Sequence, residues 1–408
     1  MQSIRYREND GIATIKIIFS IFLALYPILC LYTGFFRFTI GDVGLIMFTI
    51  FAILPPVPRQ DTSIVPVAFF LITTIIVFFV NLFVFKTMPS WAATTYFFRL
   101  AKLVFYLMAA FFCGKKFFDS KSFEKAVVII GCAAAAFMFF QYVAFYLLGK
   151  VYLGHIPGLE IYIEEYALGD YEEFYSKTFR PCSFFLEPAM FAQYMIVPTG
   201  LVLFSSRRKA LSKILLIIIF SLSIVMSTSA QGIAYLGILF LLYIFWGSSK
   251  KTYTIVLLFV FVVAIVILQL FSEPFRFAVN RLLFSEDALS ARIGTYEYIA
   301  EMDIPFKIIG YGYGVVPHGE YMAGVAYVWY GCGFIGVLLV LTMFLTFFKK
   351  AQSKTARVIC LIFFMSFFVT SLFYNYMLFW FVCFIISHKE NRHRRHHNGS
   401  YYRRYEEI

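Results

Sequence analysis

Residues 205–251 read SSRRKALSKILLIIIFSLSIVMSTSAQGIAYLGILFLLYIFWGSSKK. Two basic connectors, SSRRKALSK and GSSKK, bracket an apolar run that is broken only by STSAQG (227–232). Short loops rich in Lys and Arg stay on the cytoplasmic side of a membrane. Between Arg208 and Lys250 the chain must therefore cross an even number of times, so residues 211–246 form a hairpin of two membrane helices turning at 227–232.

The same rule extends outward in both directions. Apolar runs long enough to span a bilayer as helices recur along most of the chain. Spans are expected near 12–33, 40–56, 63–85, 93–113, 124–148, 182–204, 211–227, 229–246, 253–271, 324–348, 357–371 and 374–387. Ile12–Thr33 is too long for a cleaved leader and lacks a small-residue cleavage site, so it reads as a span. GKKFFDSKSFEK (114–125), KKAQSKTAR (349–357) and the tail from Ser387 are basic and are expected inside with the two connectors above. One helix over 357–387 would strand that tail outside, so two short helices are expected there, with a break near Tyr374–Asn375. The fold class is an all-α polytopic membrane protein of about twelve transmembrane helices. It forms a single domain over 1–408, with both termini cytoplasmic and a basic tail over 388–408. Two long external loops cover 149–181 and 272–323.

Composition agrees. The 408 residues are 61% hydrophobic and 14% charged, against about 25% charged in soluble domains. The net charge of +12 lies in short loops and the tail, which excludes a nucleic-acid reading. Seven cysteines, with no CxxC or metal-ligand spacing, read as small buried hydrophobes. The four histidines of the tail stand among Arg392, Arg394, Arg395, Arg403 and Arg404, a composition suited to anionic lipid headgroups.

Charge inside the apolar runs is the functional signal. FRPCSFFLEPAMFAQY (179–194) carries Glu187 where a carboxylate costs about 2.5 kcal/mol or more at a bilayer centre. With Pro181 in a first helical turn, Arg180 stands at the outer mouth and Glu187 lies two turns deeper, about 10 Å along the same face. YFFRLAKLVFY (96–106) brings Arg99 and Lys102 to one side of the fourth span with Tyr106, Arg99 at the depth of Glu187. These charges make either a buried structural pair or a polar cavity open to the outside. Three cations against one carboxylate favour the cavity.

The first loop is acidic, with Glu160, Glu164, Glu165, Asp170, Glu172 and Glu173. In the second loop, Ser285 reads as the N-cap of a helix near 286–302 that stops before Asp303–Ile304–Pro305. That loop holds Arg276, Arg281 and Arg292, and Arg292 shares a helix face with Tyr296. GYGYG (310–314) reads as turn chemistry rather than a phosphate cradle, because no strand precedes it. His318 lies just before a span. Together these residues suit an anion of more than one charge at a lipid border. Arginine grips phosphate oxygens bidentately, and with no acidic pair at metal-ligand spacing no metal is expected.

RPCSFFLEPAMFAQY, STSAQGIAYLG, LSARIGTYEYIAE with IIGYGYGVV, and PHGEYMAGVAYVWYGCGFIG occur in this order. In that order and in topology the chain resembles the Wzy-type polysaccharide polymerase and O-antigen ligase superfamily. The resemblance implies a GT-C-like architecture and a metal-independent, cofactor-free, inverting glycosyl transfer at the outer face of the bacterial cytoplasmic membrane. Donor and acceptor would be undecaprenyl-diphosphate-linked oligosaccharides in the lipid bilayer, and a flippase and a chain-length regulator would be partners. Arg292 matches the arginine of an Arg-x-x-x-aromatic segment, with Tyr296 as the aromatic. His318 matches the histidine before the tenth span, and Arg180 and Glu187 match a polymerase-like Arg…Glu-Pro segment. Two departures count against a ligase. Gly319 follows His318, and Ala230–Gln231–Gly232 replaces a Ser-Arg-Gly, which turns attention to Arg99 and Lys102 for the missing charge. Arg180, Arg281, Arg292 and Arg99 or Lys102 would hold the diphosphate, while Glu187 or His318 would accept the acceptor's proton. The alternatives are a flippase for the same lipid-linked sugars and an O-antigen ligase.

Overall fold

The computed structural model describes residues 2–53, 64–88, 92–162, 180–205, 209–246, 294–317, 322–368 and 376–390, with isolated positions between 262 and 276. Most of the ninth expected span and the start of the second long loop lie outside them. Among the described residues the chain is helical, with three isolated β-bridges and no sheet.

The helices are α1 (Gln2–Leu29), α2 (Ile40–Ile53), α3 (Ile64–Val80), α4 (Ala93–Phe117), α5 (Ser120–Leu148), α6 (Pro188–Phe204), α7 (Ala210–Met226) and α8 (Ala230–Trp246). The short α9 (Glu297–Glu301) and α10 (Ile304–Ile309) precede α11 (Gly324–Lys350), α12 (Lys354–Phe367) and α13 (Met377–Ser387). A π-helical turn, Asn81–Phe85, extends α3. The apolar part of α1, α3 with its extension, α4, α5 and α11 are each long and apolar enough to cross a membrane. Shorter apolar helices are α2, α6, α7, α8 and α13. This is a helical membrane protein.

The lysines that end α4 and α11 (Lys115, Lys116, Lys349, Lys350) mark one end of the bundle. Gly114 packs on Ser387, the Ser353 hydroxyl meets His388 Nδ1 at 2.7 Å, and Gly200 lies against Thr355. These contacts bring the termini of α4, α6, α12 and α13 to this basic end; the opposite end carries the long loops. The α7–α8 hairpin forms as the basic connectors require, turning at 227–229. The last apolar run is also two helices, because Ser353 before α12 and His388 after α13 meet. Trp380 of α13 is fully buried, stacked on Tyr194 of α6 at 5.1 Å, and its indole donates to the Leu23 carbonyl of α1 at 3.0 Å.

Three expectations shift. α1 stops at Leu29 rather than Thr33. α6 starts at Pro188 rather than 182, because Ser183 turns left-handed (φ 56) and its amide donates to Gln141 Oε1 at 2.8 Å. Residues before a proline also avoid the helical region, and Glu187 is extended at φ −135, ψ 149. The third concerns the tail. His388 is 3% exposed, bonded to Ser353 and, through Nε2, to Glu124 at 3.0 Å. It belongs to the bundle and does not reach for headgroups. Of the helix expected over 286–302, the described part holds a 3₁₀ turn at Gly294–Tyr296 and then α9, which ends at Glu301 as expected.

Candidate functional site

At the head of α6, Glu187 is the N-cap residue, but its side chain makes no capping bond to the first-turn amides. It is open to solvent by area yet hemmed in by protein. That crowding pushes its carboxyl above the ordinary carboxylate range, while the Arg180 guanidinium pulls the other way. Arg180 therefore supplies the charge that acts on Glu187, a role the sequence suggested for Arg99. Nor do Arg180 and Glu187 share a helix face, since 181–187 is non-helical, with a turn at 183–184 followed by bends. Arg180 Nε donates to Thr228 Oγ1 at 3.0 Å and Nη2 to the Thr228 carbonyl at 2.9 Å, tying this connector to the α7–α8 turn.

On α4 three polar side chains follow one another down one face. Arg99 Nη1 donates to the Gly314 carbonyl at 2.7 Å, and Lys102 Nζ donates to the Tyr162 hydroxyl at 3.1 Å. Tyr106, one turn deeper, donates to Asp42 Oδ1 at 2.9 Å. Counting from Gly114 and Gly200 at 1.5 Å per residue, Arg99 stands about 22 Å and Glu187 about 20 Å from the basic end. Equal depth was the sequence expectation, and the helix lengths support it. The cations nevertheless bind different walls: Arg99 the second loop, Lys102 the first, Arg180 the α7–α8 turn.

The loops are stitched to the bundle at this level. Tyr162 N–H donates to the Leu31 carbonyl, Thr33 N–H to the Glu160 carbonyl, and Ile156 N–H to the Tyr32 hydroxyl. Gly154 lies so close to the Ser183 carbonyl that a Cβ would sit 1.9 Å from it. The glycine segment 310–314 is turn structure, with φ of 80, 105 and 93 at Gly310, Gly312 and Gly314. It docks on a break in α11, where Gly333 adopts φ 66, ψ −175. The break frees carbonyls that a continuous helix would use, and Tyr311 and Gly312 N–H donate to those of Tyr330 and Gly331 at 2.9 and 2.8 Å. Two amides that a phosphate cradle would need are thus already spent. Asn81 Nδ2 donates to the Gly310 carbonyl at 3.0 Å, fixing the segment against α3.

Tyr296 is half-buried beside the core, and burial pushes its phenol up. Arg281, Arg292 and His318 lie outside the described residues. The sequence reading missed Asp42. This carboxylate is fully buried and accepts from Tyr26 and Tyr106 hydroxyls and from Thr39 N–H, while its own N–H donates to Thr39 Oγ1. Thr-x-x-Asp before an apolar run is a capping-box pattern, so this box was readable. His155 was also passed over. It sits between Gly154 and Ile156 in the stitched loop, and burial pushes its imidazole down, toward the neutral form. Among the described residues no three His, Cys, Asp or Glu gather closely enough to hold a metal ion. The cysteines form no disulfide, and all but Cys132 are buried. No known protein family, curated protein or solved structure matches the chain.

Proposed function

We propose that the chain is a Wzy-type polymerase that joins undecaprenyl-diphosphate-linked oligosaccharide repeats at the outer face of a bacterial cytoplasmic membrane. In this reading the loop end faces outward and the basic end inward. The observation that carries it is the Arg180–Glu187 pair at the uncapped head of α6, at the depth of Arg99 and Lys102. A carboxylate at the mouth of an apolar helix, with a guanidinium acting on it, is a costly placement that points to function.

The step is a direct displacement. The acceptor hydroxyl oxygen bonds to the donor's anomeric carbon as the carbon–oxygen bond to the diphosphate breaks, so the configuration inverts. The hydroxyl proton goes to Glu187, and undecaprenyl diphosphate leaves with the bonding electron pair. Arg180, with Arg99 or Lys102, stabilises the charge that develops on the leaving oxygen. Arg292 and His318 enter on the family resemblance alone, Arg292 with the diphosphate and His318 as the other candidate base.

The test is purified protein with lipid-linked repeats. Glu187→Gln should lower the polymerisation rate about 10²–10⁴-fold, the usual weight of general base catalysis. Rate should fall as pH drops through the Glu187 pKa, because only the carboxylate accepts a proton, and that limb should lie above the ordinary glutamate range. Arg180→Ala removes the charge that pulls the carboxyl down and should move the limb to still higher pH. Undiminished polymerisation by Glu187→Gln sinks this assignment. Transport without chain growth would point to a flippase.

A further inference from the structure

Beside Arg99, the loop end carries an aromatic surface that the reaction above does not use. Tyr311, within the glycine segment, stacks on Phe306 of α10 with ring centroids 4.4 Å apart, and lies 5.0 Å from the Tyr330 ring of α11. The backbone bond from Tyr311 N–H to the Tyr330 carbonyl locks the pair in register. Tyr298, Phe306, Tyr311 and Tyr330 are all partly exposed, so the cluster is not sealed in the core. The phenols of Tyr311, Tyr96 and Tyr298 lie within electrostatic range of Tyr330, and exposed Asp303 lies within range of Tyr311. The Arg99 guanidinium is 6.0 Å from the Tyr96 ring. On the other flank Phe306 meets Phe85, beside strongly exposed Phe83 and Val84.

We propose that Tyr311 and Tyr330, rimmed by Tyr298 and Asp303, form a saccharide platform that seats a sugar ring of the substrate next to Arg99. This rests on the glycan-polymerase reading and names where the sugar lies. A pyranose has an apolar C–H face that packs on an aromatic ring and a rim of hydroxyls that need partners. Phenols and a carboxylate supply both donors and acceptors at the edge of the rings. An acyl chain would use the rings and leave the polar rim without purpose. The apolar flank at Phe83 and Val84 suits the lipid tail instead.

Saturation-transfer NMR on the full chain in nanodiscs, with free chitobiose and cellobiose as probes, tests the platform apart from catalysis. At least one of the two disaccharides should receive saturation on its ring protons. Tyr311→Ala and Tyr330→Ala should each weaken binding about tenfold, whereas Tyr311→Phe, which keeps the ring, should lose no more than about threefold. Glu187→Gln should slow chain growth about 10²–10⁴-fold and leave disaccharide binding intact. Neither disaccharide receiving saturation would overturn the platform, as would equal binding by the alanine variants with unchanged thermal unfolding. Loss of co-purified lipid from those variants with sugar binding unchanged would identify an interfacial aromatic belt and would also overturn it. Binding at the platform in a protein that never lengthens a glycan would refute the polymerase reading and spare this one.

Discussion

At the basic end, α5 and α12 begin under side-chain caps, although α7 does not: Asp119 accepts from Ser122 N–H at 2.8 Å and Ser353 from Ala356 N–H at 3.0 Å. At the loop end, α2 has its Thr39–Asp42 box, but α4, α6 and α11 start with no side-chain cap. First-turn amides and the positive ends of three helix dipoles therefore face the region that also holds Arg180, Arg99 and Lys102. The basic end adds side-chain partners between helices to its caps, as His388 does with Ser353 and Glu124. The other holds its irregular backbone by contacts between distant segments and keeps positive potential in reserve. On the proposed function, the difference separates structural polar groups from those that would meet a substrate.

The largest blow to this contrast should come from Gly333→Ala. Its backbone region is open essentially only to glycine, and a Cβ would lie 2.0 Å from the Ile308 carbonyl. A loss of about 3 kcal/mol is expected, read as thermal unfolding in detergent. A melting curve equal to wild type would mean that the α11 break is not needed to seat the glycine segment. Next comes His388→Ala, which strips partners from Glu124 and Ser353 and should cost about 1–3 kcal/mol. Its signature is lower stability with chain growth per folded molecule unchanged, since the basic end lies apart from the chemistry. Chain growth lost in proportion to nothing but this residue would erase the distinction between the ends. The smallest effect is expected from Thr228→Ala, which removes the bond from Arg180 Nε and leaves the one to the Thr228 carbonyl. The cost is about 0.5–1.5 kcal/mol, a few-fold to roughly tenfold in rate, with the melting temperature nearly constant. Stability falling while rate holds would place Arg180 among the structural groups.

Much of the bundle was readable because its signals are local. Basic connectors dictate the α7–α8 hairpin and the division into α12 and α13, and Glu-Pro at 187–188 is itself a helix-start pattern. The late start of α6 was hidden because its cause is remote: Gln141, 42 residues before Ser183, holds the turn. Asn81 and Gly310 are 229 residues apart, and Arg99 and Gly314 are 215 apart, so no periodicity announces where the glycine segment docks. A break at Gly333 inside an apolar run looks like any membrane glycine until its partner loop is in place. Of the candidate site, Glu187 and Arg180 were legible as charge out of place, and their pairing was partly so. That Arg99 and Lys102 hold the two loops was not, because the charge itself suggests only an anion.

The indole of Trp380 reaching back to Leu23 has a consequence for biogenesis. Helix α13, made long after α1 and α6, supplies the wedge between them, so those earlier segments must wait in the bilayer with that seam open. A chain truncated before Met377 should be held by insertion chaperones and be quickly degraded on release, whereas a chain that also carries the eleven residues of α13 can close that seam.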